Sequence, residues 1–427
     1  MPKFIAAFSL VVVTALWTVN RGEAPGGIAA AGRLAALWSA DLLLIQVLLM
    51  ARIPWVERAY GQDALARWHR WTGFASFTLL LAHTGLAVIA YTRMGRLWET
   101  LALESMVLAV AALAALTLVV ITSTRHRRRR LRYESWHLLH LYAYAGIALA
   151  LPHMLLLGSD FRSPAARAYF WGLYLIAAGS ILIFRIGLPI WRTARHRLVV
   201  QGIKTEAPGL VSVYLRGRQL ERLPARAGQY FVWRFLDGRA GLRGNPFSLS
   251  GPPRRDSLRI TVKAVGDGSA RVATLRPGTR VLIEGPFGRM TAATYAGGPV
   301  TMLACGVGVT PLLALLWDLP YGRGKATLVY RTRHPHEVAF LEELEWLAAD
   351  RGVRLVPLVG PRASDTSWLP ADYAEYDDAQ ALRALAPDIA GHDVYVCGPD
   401  PWAEAVFRAA RRVGVPPARL HRERFGW

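Results

Sequence analysis

Cysteine is nearly absent from this sequence: two thiols, Cys305 and Cys397, in 427 residues. Both lie in the C-terminal third, where two lone thiols argue against a disulfide framework and for a reducing compartment. Acidic residues are also scarce, 30 against 51 Lys and Arg, for a formal net charge of +21. In a soluble protein that excess points to nucleic acid. Here much of it sits in short loops between apolar runs, so membrane topology and anionic lipid account for it and no nucleic-acid partner is expected. Charged residues of both signs reach only 19% while hydrophobic ones reach 53%, a balance that leans toward a membrane protein. There is no internal repeat, no low-complexity tail and no GxGxxG fingerprint.

What is present begins with six apolar runs, over residues 4–20, 35–54, 69–92, 101–123, 134–157 and 169–191. Each has the length that crosses about 30 Å of hydrocarbon. The first reads as a retained helix rather than a cleaved leader, because it lacks a small-residue cleavage site and five more runs follow. Lys3, Arg52, Arg58, Arg67, Arg70, the run Arg125 to Arg132, Arg192, Arg195 and Arg197 fall on one side. Only Arg21, Arg33, Arg93, Arg96, Arg162 and Arg167 fall on the other. The richer side is expected to be cytoplasmic, which makes the chain a multi-pass protein of the cell membrane with both termini inside.

Histidines interrupt these runs. His69 and His83 are fourteen apart, which on an ideal helix leaves them about 40° from a common face and about 21 Å apart along the axis. His140 and His153 are thirteen apart, about 140° from a common face, and Pro152 stands where a kink would turn the second ring. Each histidine alone has a plain reading, a bond to a backbone carbonyl or a neighbouring helix. Taken together, two helices with His at two depths suggest two bis-imidazole sites stacked across the bilayer. Such ligation leaves haem iron no open position and suits electron transfer. His126 and His137 read as surface or interface residues.

From about Arg197 the composition shifts to short β-like segments punctuated by Gly and Pro, "LVSVYLRG", "QYFVWRF" and "LRITVKAV" among them, which suggests a small antiparallel barrel. From about Gly297 apolar strands alternate with helical patterns, the rhythm of a doubly wound parallel sheet. The expected architecture is therefore membrane α plus soluble β and α/β. A six-helix transmembrane haem bundle would occupy residues 1–195, an antiparallel flavin-binding β-barrel 196–295 and a nucleotide domain 296–427. "NPFSLSG" offers Asn245, Pro246, Phe247, Ser248 and Ser250 at a barrel edge, where a ring stacks on a flavin and a hydroxyl reaches it; a strand-turn with no ligand is the alternative. "VKAVGDGSA", from Val262, offers Gly266, Gly268 and Ser269 as a backbone cradle for pyrophosphate. "CGVGVTP" sets Gly306, Gly308 and Thr310 in a strand-to-helix turn. "YVCGP" ends a strand with Cys397 and Gly398, where such sheets bind ligands. Arg331 and Arg333 follow "ATLVY", where arginine suits a 2′-phosphate and NADPH over NADH.

The order of "PFSLS", "GVGVTP", "VCGP" and the terminal "ERFGW" resembles the ferredoxin-NADP reductase superfamily. Joined to six spans and "RWHRW" and "YESWHLLH", the whole chain resembles the ferric reductase/NADPH oxidase family in a single-chain form. The resemblance implies FAD, two b-type haems and NADPH or NADH as cofactors. It assigns His69 and His140 to one haem and His83 and His153 to the other. Phe247 and Ser248 then contact the flavin, and Gly306, Gly308, Thr310, Cys397 and Gly398 line the nucleotide site. Phe425 or Trp427 would cover the flavin. Asn245 departs from the Arg or His usual at its position, with Arg243 as the compensating charge.

A nicotinamide gives up two electrons as hydride and haem takes one at a time, so a flavin must mediate. The basic run Arg125 to Arg132 sits where it would dock the soluble half or simply meet lipid. Arg185 has two readings, a haem-propionate partner or a snorkelling side chain. The expected activity is transmembrane NAD(P)H oxidation with an extracellular small acceptor, dioxygen or a ferric chelate, and no obligatory protein partner. The short loops on that side show no cluster fit to hold a metal tightly, and Asp160 with Arg162 and Arg167 suits brief contact with an anionic acceptor. Two rivals stand beside this: a cytochrome b/flavin module that donates electrons to a partner protein, and a transporter with histidine proton relays.

Overall fold

The computed structural model describes residues 2–19, 27–124, 133–238 and 244–423. The chain divides into two compact units, residues 1–54 with 64–185, and residues 55–63 with 186–427.

The first unit is helical. It contains α1 (Pro2–Val19), α2 (Ile28–Leu49), most of α4 (Gln62–Arg93), α5 (Leu97–Leu101), α6 (Glu104–Ser123), α7 (Tyr133–Leu157) and α8 (Pro164–Ser180), while α3 (Pro54–Tyr60) groups almost wholly with the second unit. Among the described residues, five helices are long and apolar enough to cross a membrane: Ile28–Leu49, Gln62–Arg93, Glu104–Ser123, Ser135–Leu157 and Pro164–His196. The sixth expected span, α1, carries a shorter apolar stretch, Ile5–Val19. It packs through Val13 and Trp17 with Phe161 and Phe170. Large apolar side chains such as Leu175, Leu182 and Ile183 point outward, the inverse of a soluble bundle and the mark of a lipid-facing surface. Close helix crossings use small residues. At Gly146 of α7 a Cβ would come within 2.9 Å of Leu116 and 3.3 Å of the Ala112 carbonyl on α6.

Two buried carboxylates inside this unit are fully engaged. The fully buried Asp41 accepts from Ser9 at 2.7 and 2.8 Å and from the Tyr169 hydroxyl at 2.7 Å, joining α1, α2 and α8. Arg33 grips Asp160 with two bonds, of 3.0 and 2.6 Å. Asp160 is buried in that pair, so the expectation that it meets an external acceptor is corrected. The last span changes pitch at a π-helical stretch, Ile181–Gly187, before α9 (Leu188–His196). A π segment widens the turn and redirects side chains. Arg185, within it, donates to the Met50 carbonyl at 3.0 Å, just beyond α2.

In the second unit, β1 (Val199–Ala207), β2 (Leu210–Arg216), β3 (Tyr230–Leu236), β4 (Asn245–Ser248), β5 (Ser257–Lys263) and β6 (Arg280–Phe287) form one antiparallel sheet. Their order is β4-β3-β6-β1-β2-β5, so the expected closed barrel is an open, curled sheet. β4 is only four residues long and contains Pro246, which cannot donate to a ladder. A single bridge, Leu249 to Ile260, links the two edges. The α9 helix is tied to this sheet, its Thr193 hydroxyl accepting from the Ile283 N–H at 3.3 Å.

The second sheet is parallel: β7 (Val300–Cys305), β8 (Ala326–Thr332), β9 (Arg354–Val359), β10 (Asp393–Cys397) and β11 (Leu420–Glu423), in the order β11-β10-β7-β8-β9. The short α10 (Asp267–Ala270) belongs to the connection from β5 to β6 of the first sheet, while α11 (Val309–Asp318), α12 (Leu341–Arg351), α13 (Asp378–Leu385) and α14 (Asp400–Arg412) pack on the parallel strands. The chain order reverses between β7 and β10, and that switch point is where doubly wound sheets bind ligands.

Candidate functional site

The four intramembrane histidines form two pairs. His69 and His140 have ring centres 5.9 Å apart, and His83 and His153 have theirs 6.5 Å apart. Two imidazoles bonded to one metal through bonds of about 2 Å lie with ring centres about 6 Å apart, so both pairs fit a bis-histidine haem. Three of the four Nδ1 atoms have partners of their own, the kind of contact that orients a metal-binding imidazole. His69 Nδ1 meets the Gln46 carbonyl at 3.0 Å, His83 Nδ1 the Gly32 carbonyl at 2.9 Å and His140 Nδ1 the Ser123 hydroxyl at 3.2 Å. His153 Nδ1 is buried and has no partner among the described residues. No group of three or more His, Cys, Asp and Glu able to hold a metal ion occurs among the described residues. A haem would ask only two protein nitrogens of its site, which each of these pairs could supply. The thirteen-residue spacing on α7 still delivers both rings. Pro152 lies inside that helix, where its missing N–H takes away the hydrogen bond that a residue there would donate four residues back. His137 takes no part in either pair and lies against Trp136, with ring centres 6.5 Å apart. His126 and Arg125 to Arg132 lie outside the described residues.

The flavin motif forms β4 and the turn after it. The Trp233 indole fixes the Phe247 carbonyl at 2.9 Å. Ser248 is buried, and its hydroxyl has no partner among the described residues, a group that a ligand atom would satisfy. The Ser250 hydroxyl accepts from Thr261 at 2.8 Å, so it is already used. Asn245 is half-buried at the strand start, while Arg243, Phe425 and Trp427 lie outside the described residues. Val262 points into the sheet's own core. In the expected pyrophosphate cradle, the Ser269 hydroxyl accepts from the N–H groups of Val265 and Gly266 at 2.9 and 3.1 Å. Those two donors are therefore committed within the loop, whose last residues, with Gly268, form α10.

At the switch point the structure brings Gly306, Gly308, Cys397 and Gly398 together. A Cβ on Gly308 would lie 2.1 Å from the Cys397 carbonyl oxygen, and one on Gly398 would lie 2.8 Å from both Cys305 Cβ and the Trp402 ring. Gly306 has φ +55° and open space around it. Thr310 is buried and its hydroxyl bonds the Val307 carbonyl at 2.9 Å, so it shapes the turn from within. Arg331 is buried too, donating to the Gly360 carbonyl at 3.2 Å and facing Cys305 Sγ at 3.7 Å. Arg333 is exposed, beside His334 and His336, whose rings stack 5.3 Å apart. Of the two arginines only Arg333 is free to meet a phosphate. The two thiols are free and pack on opposite faces of the sheet. Cys397 is wholly buried, and burial, reinforced by Glu423, pushes its thiol well above the usual range. Any part it takes is as a neutral thiol.

Sequence reasoning missed Glu423. Burial, then the nearby Asp63 and Glu57 carboxylates, push its acid up to about 8. Folding therefore holds a proton that the unfolded chain releases near pH 4.5. That stabilisation is complete below the unfolded value and is lost as pH rises through the folded one. Melting temperature should fall between about pH 5 and 8 in the wild type, and Glu423→Gln should flatten that slope. Parallel curves for the two proteins would remove Glu423 as the cause.

Residues 35–151 match the family described as ferric reductase like transmembrane component, and residues 302–408 that described as oxidoreductase NAD-binding domain. Similar curated proteins include the ferredoxin reductase component of 3-ketosteroid-9-alpha-monooxygenase from Mycolicibacterium smegmatis, 30% identical over 52% of this chain and 62% of that protein. The glycine betaine monooxygenase reductase subunit of Chromohalobacter salexigens is 29% identical over 55% and 66% respectively. The flavohemoprotein of Xylella fastidiosa is 30% identical over 48% and 52%. The chain thus spans between half and two thirds of the length of these relatives. Two of them are named as a component or subunit of a larger monooxygenase, which overturns the expectation of no obligatory protein partner. This chain is a membrane oxidoreductase of the ferric reductase type, a ferric reductase like transmembrane component joined to a ferredoxin-reductase-type module with its NAD-binding domain.

Proposed function

We propose that this protein draws electrons from NADPH or NADH, passes them through FAD and two b-type haems across the cell membrane, and delivers them to a partner protein. The observation that carries the reading is the double pair of histidines, 5.9 and 6.5 Å apart, in a chain that also carries an NAD-binding domain. When bound, a flavin converts a hydride pair into single electrons, and bis-histidine haem relays them one at a time. The protein's own part is to hold and orient. His69 with His140, and His83 with His153, would hold the two haems, and three of the four are steered by their Nδ1 contacts. Phe247 and Ser248 would meet the flavin, with Phe425 or Trp427 over its other face. Gly306, Gly308 and Gly398 clear the ground for a nicotinamide nucleotide beside the neutral Cys397. Arg333 would take a 2′-phosphate and favour NADPH. The excess of basic residues near one set of helix ends supports cytoplasmic termini. The names of the relatives as reductase components support a protein acceptor.

The test uses sealed vesicles with the soluble module outward and NADPH, then NADH, supplied only outside. Both haem bands should reduce, faster with NADPH. They should reoxidise at least tenfold faster when soluble proteins from the opposite compartment are enclosed than with oxygen or ferric citrate alone. His153→Ala should abolish reoxidation by the enclosed proteins while dye reduction at the flavin persists. Full turnover with oxygen or ferric citrate alone would overturn the protein acceptor, and product on the NADPH side unaffected by the substitution would overturn the transmembrane route. Faster reduction by NADH would refute the role of Arg333.

A further inference from the structure

Glu343, in the first turn of α12, is a meeting point of three segments. One carboxylate oxygen accepts from Arg259 Nη1 at 2.7 Å and the other from Arg259 Nη2 at 3.0 Å. This is the two-pronged geometry that makes Arg–carboxylate pairs directional. The second oxygen also accepts from the indole of Trp317, near the C-terminal end of α11. Arg259 sits on β5 of the antiparallel sheet, and its Nη2 also donates to the carbonyl of Ser250, in the turn after the flavin strand. Its guanidinium lies 5.3 Å from the Phe340 ring, and Phe340 itself is held at φ 62° just before α12. At Gly251 a Cβ would come within 3.3 Å of Arg259 Nη2, so glycine there leaves the guanidinium its room. The two side chains are only 16% and 21% exposed, which separates them from surface ion pairs of little consequence.

The placement is informative. Arg259 grips the turn that ends "NPFSLS". Trp317 grips the far end of the helix whose first turn follows "CGVG". A ten-residue helix is a rod of about 15 Å, so a tilt at Trp317 is carried to Gly306–Thr310 at its other end. Both motif-bearing segments thus hang on one carboxylate, although neither motif contains it.

We propose that Arg259 and Glu343 are a positioning pair, fixing the separation and angle between the flavin-binding strand and the nucleotide-binding turn and thereby setting the rate of hydride transfer between them. The inference rests on the functional reading given above. In the step concerned, the C4–H bond of the reduced nicotinamide breaks and its hydride passes to the bound flavin, leaving oxidised nicotinamide. Neither Arg259 nor Glu343 gains or loses a proton or an electron.

The experiment uses the full-length chain in detergent, loaded with FAD and mixed anaerobically with NADPH in a single turnover. Glu343→Gln keeps the shape of the side chain and removes its charge, while Arg259→Lys keeps the charge and removes the fork. Each should slow flavin reduction by about ten- to a hundredfold, the range that a displacement of about 1 Å produces. Flavin content and half-saturating NADPH should stay within about twofold, because ground-state binding is untouched. The double variant should be no slower than the slower single, as expected for groups that act together. A second readout needs no turnover: in flavin-free protein, amide hydrogen exchange at residues 306–310 should quicken in both variants while β6 stays protected. Flavin reduction within twofold of wild type in both variants overturns the proposal, as does full additivity in the double variant. So does a higher half-saturating NADPH with an unchanged limiting rate. If one variant loses its flavin, exchange at 306–310 in the other decides, and an unchanged value overturns. A wild-type chain whose flavin neither NADPH nor NADH reduces would overturn the functional reading and this inference with it.

Discussion

Replacing His83 with alanine should lower bound haem from about two per chain to about one, with the remaining haem still low-spin, because one of the two proposed sites would lose half of its imidazole pair while the His69–His140 pair is untouched. His83 and His153 are partners at 6.5 Å, and His83 is also the ring steered by the Gly32 carbonyl. The substitution therefore leaves His153 with no opposing ring. A pyridine haemochrome assay against protein concentration gives the ratio, and the low-temperature spectrum gives the spin state. Transfer across the membrane should cease while reduction of a soluble dye by NADPH continues, since the flavin and nucleotide motifs lie in the other unit. Wild-type protein that folds with a haem ratio near zero would end the assignment of both pairs. Unchanged haem in the variant would end that of the His83 pair.

Gly308→Ala should be the most damaging single change in the nucleotide site. The added methyl would sit 2.1 Å from the Cys397 carbonyl oxygen and 3.0 Å from the Gly398 nitrogen, both of them backbone atoms that no rotamer change can move. Forcing β7 and β10 apart there should destabilise by about 3 kcal/mol, toward the upper end for overpacking. It should also leave nucleotide binding undetectable by calorimetry. Gly306→Ala is the internal control. Its φ of +55° charges a side chain about 1 kcal/mol of backbone strain, but nothing lies within 4 Å. Equal effects at the two positions would show that conformation, not contact, is what the turn requires.

The parts of this molecule that follow a period were readable from sequence. Apolar length marked five of the six expected spans among the described residues, and fourteen-residue spacing drew attention to His69 and His83. Strand-then-glycine rhythm marked the parallel sheet. What escaped depends on contacts between distant residues. Arg259 and Glu343 are 84 positions apart, and nothing local flags either. Arg331 looked like a phosphate ligand until the fold buried it beside Cys305 and Gly360. Ser269 looked like part of a cradle, yet its hydroxyl occupies two of the donors the cradle would offer. The barrel was expected closed because strand patterning says nothing about the length of the closing strand, and Pro246 with a four-residue β4 leaves it open. The expectation of no obligatory protein partner is corrected by the names of relatives and by no residue, because no residue pattern announces what receives the electrons.

The carbonyls that steer His69 and His83 come from Gln46 and Gly32, fourteen residues apart on α2, the same interval that separates the two histidines on α4. A main-chain carbonyl survives any substitution at its own position, so exchanging Gln46 leaves its acceptor in place. Deleting one residue between the two points is another matter. It would swing one half of α2 by about 100° and draw it in by about 1.5 Å, and one of the two rings would lose its acceptor whatever the new sequence was. At Gln46 the helix is therefore permissive to spelling, while between the two carbonyls it is strict about length. Among natural variants, exchanges at Gln46 should be more common than altered residue counts between the two carbonyls.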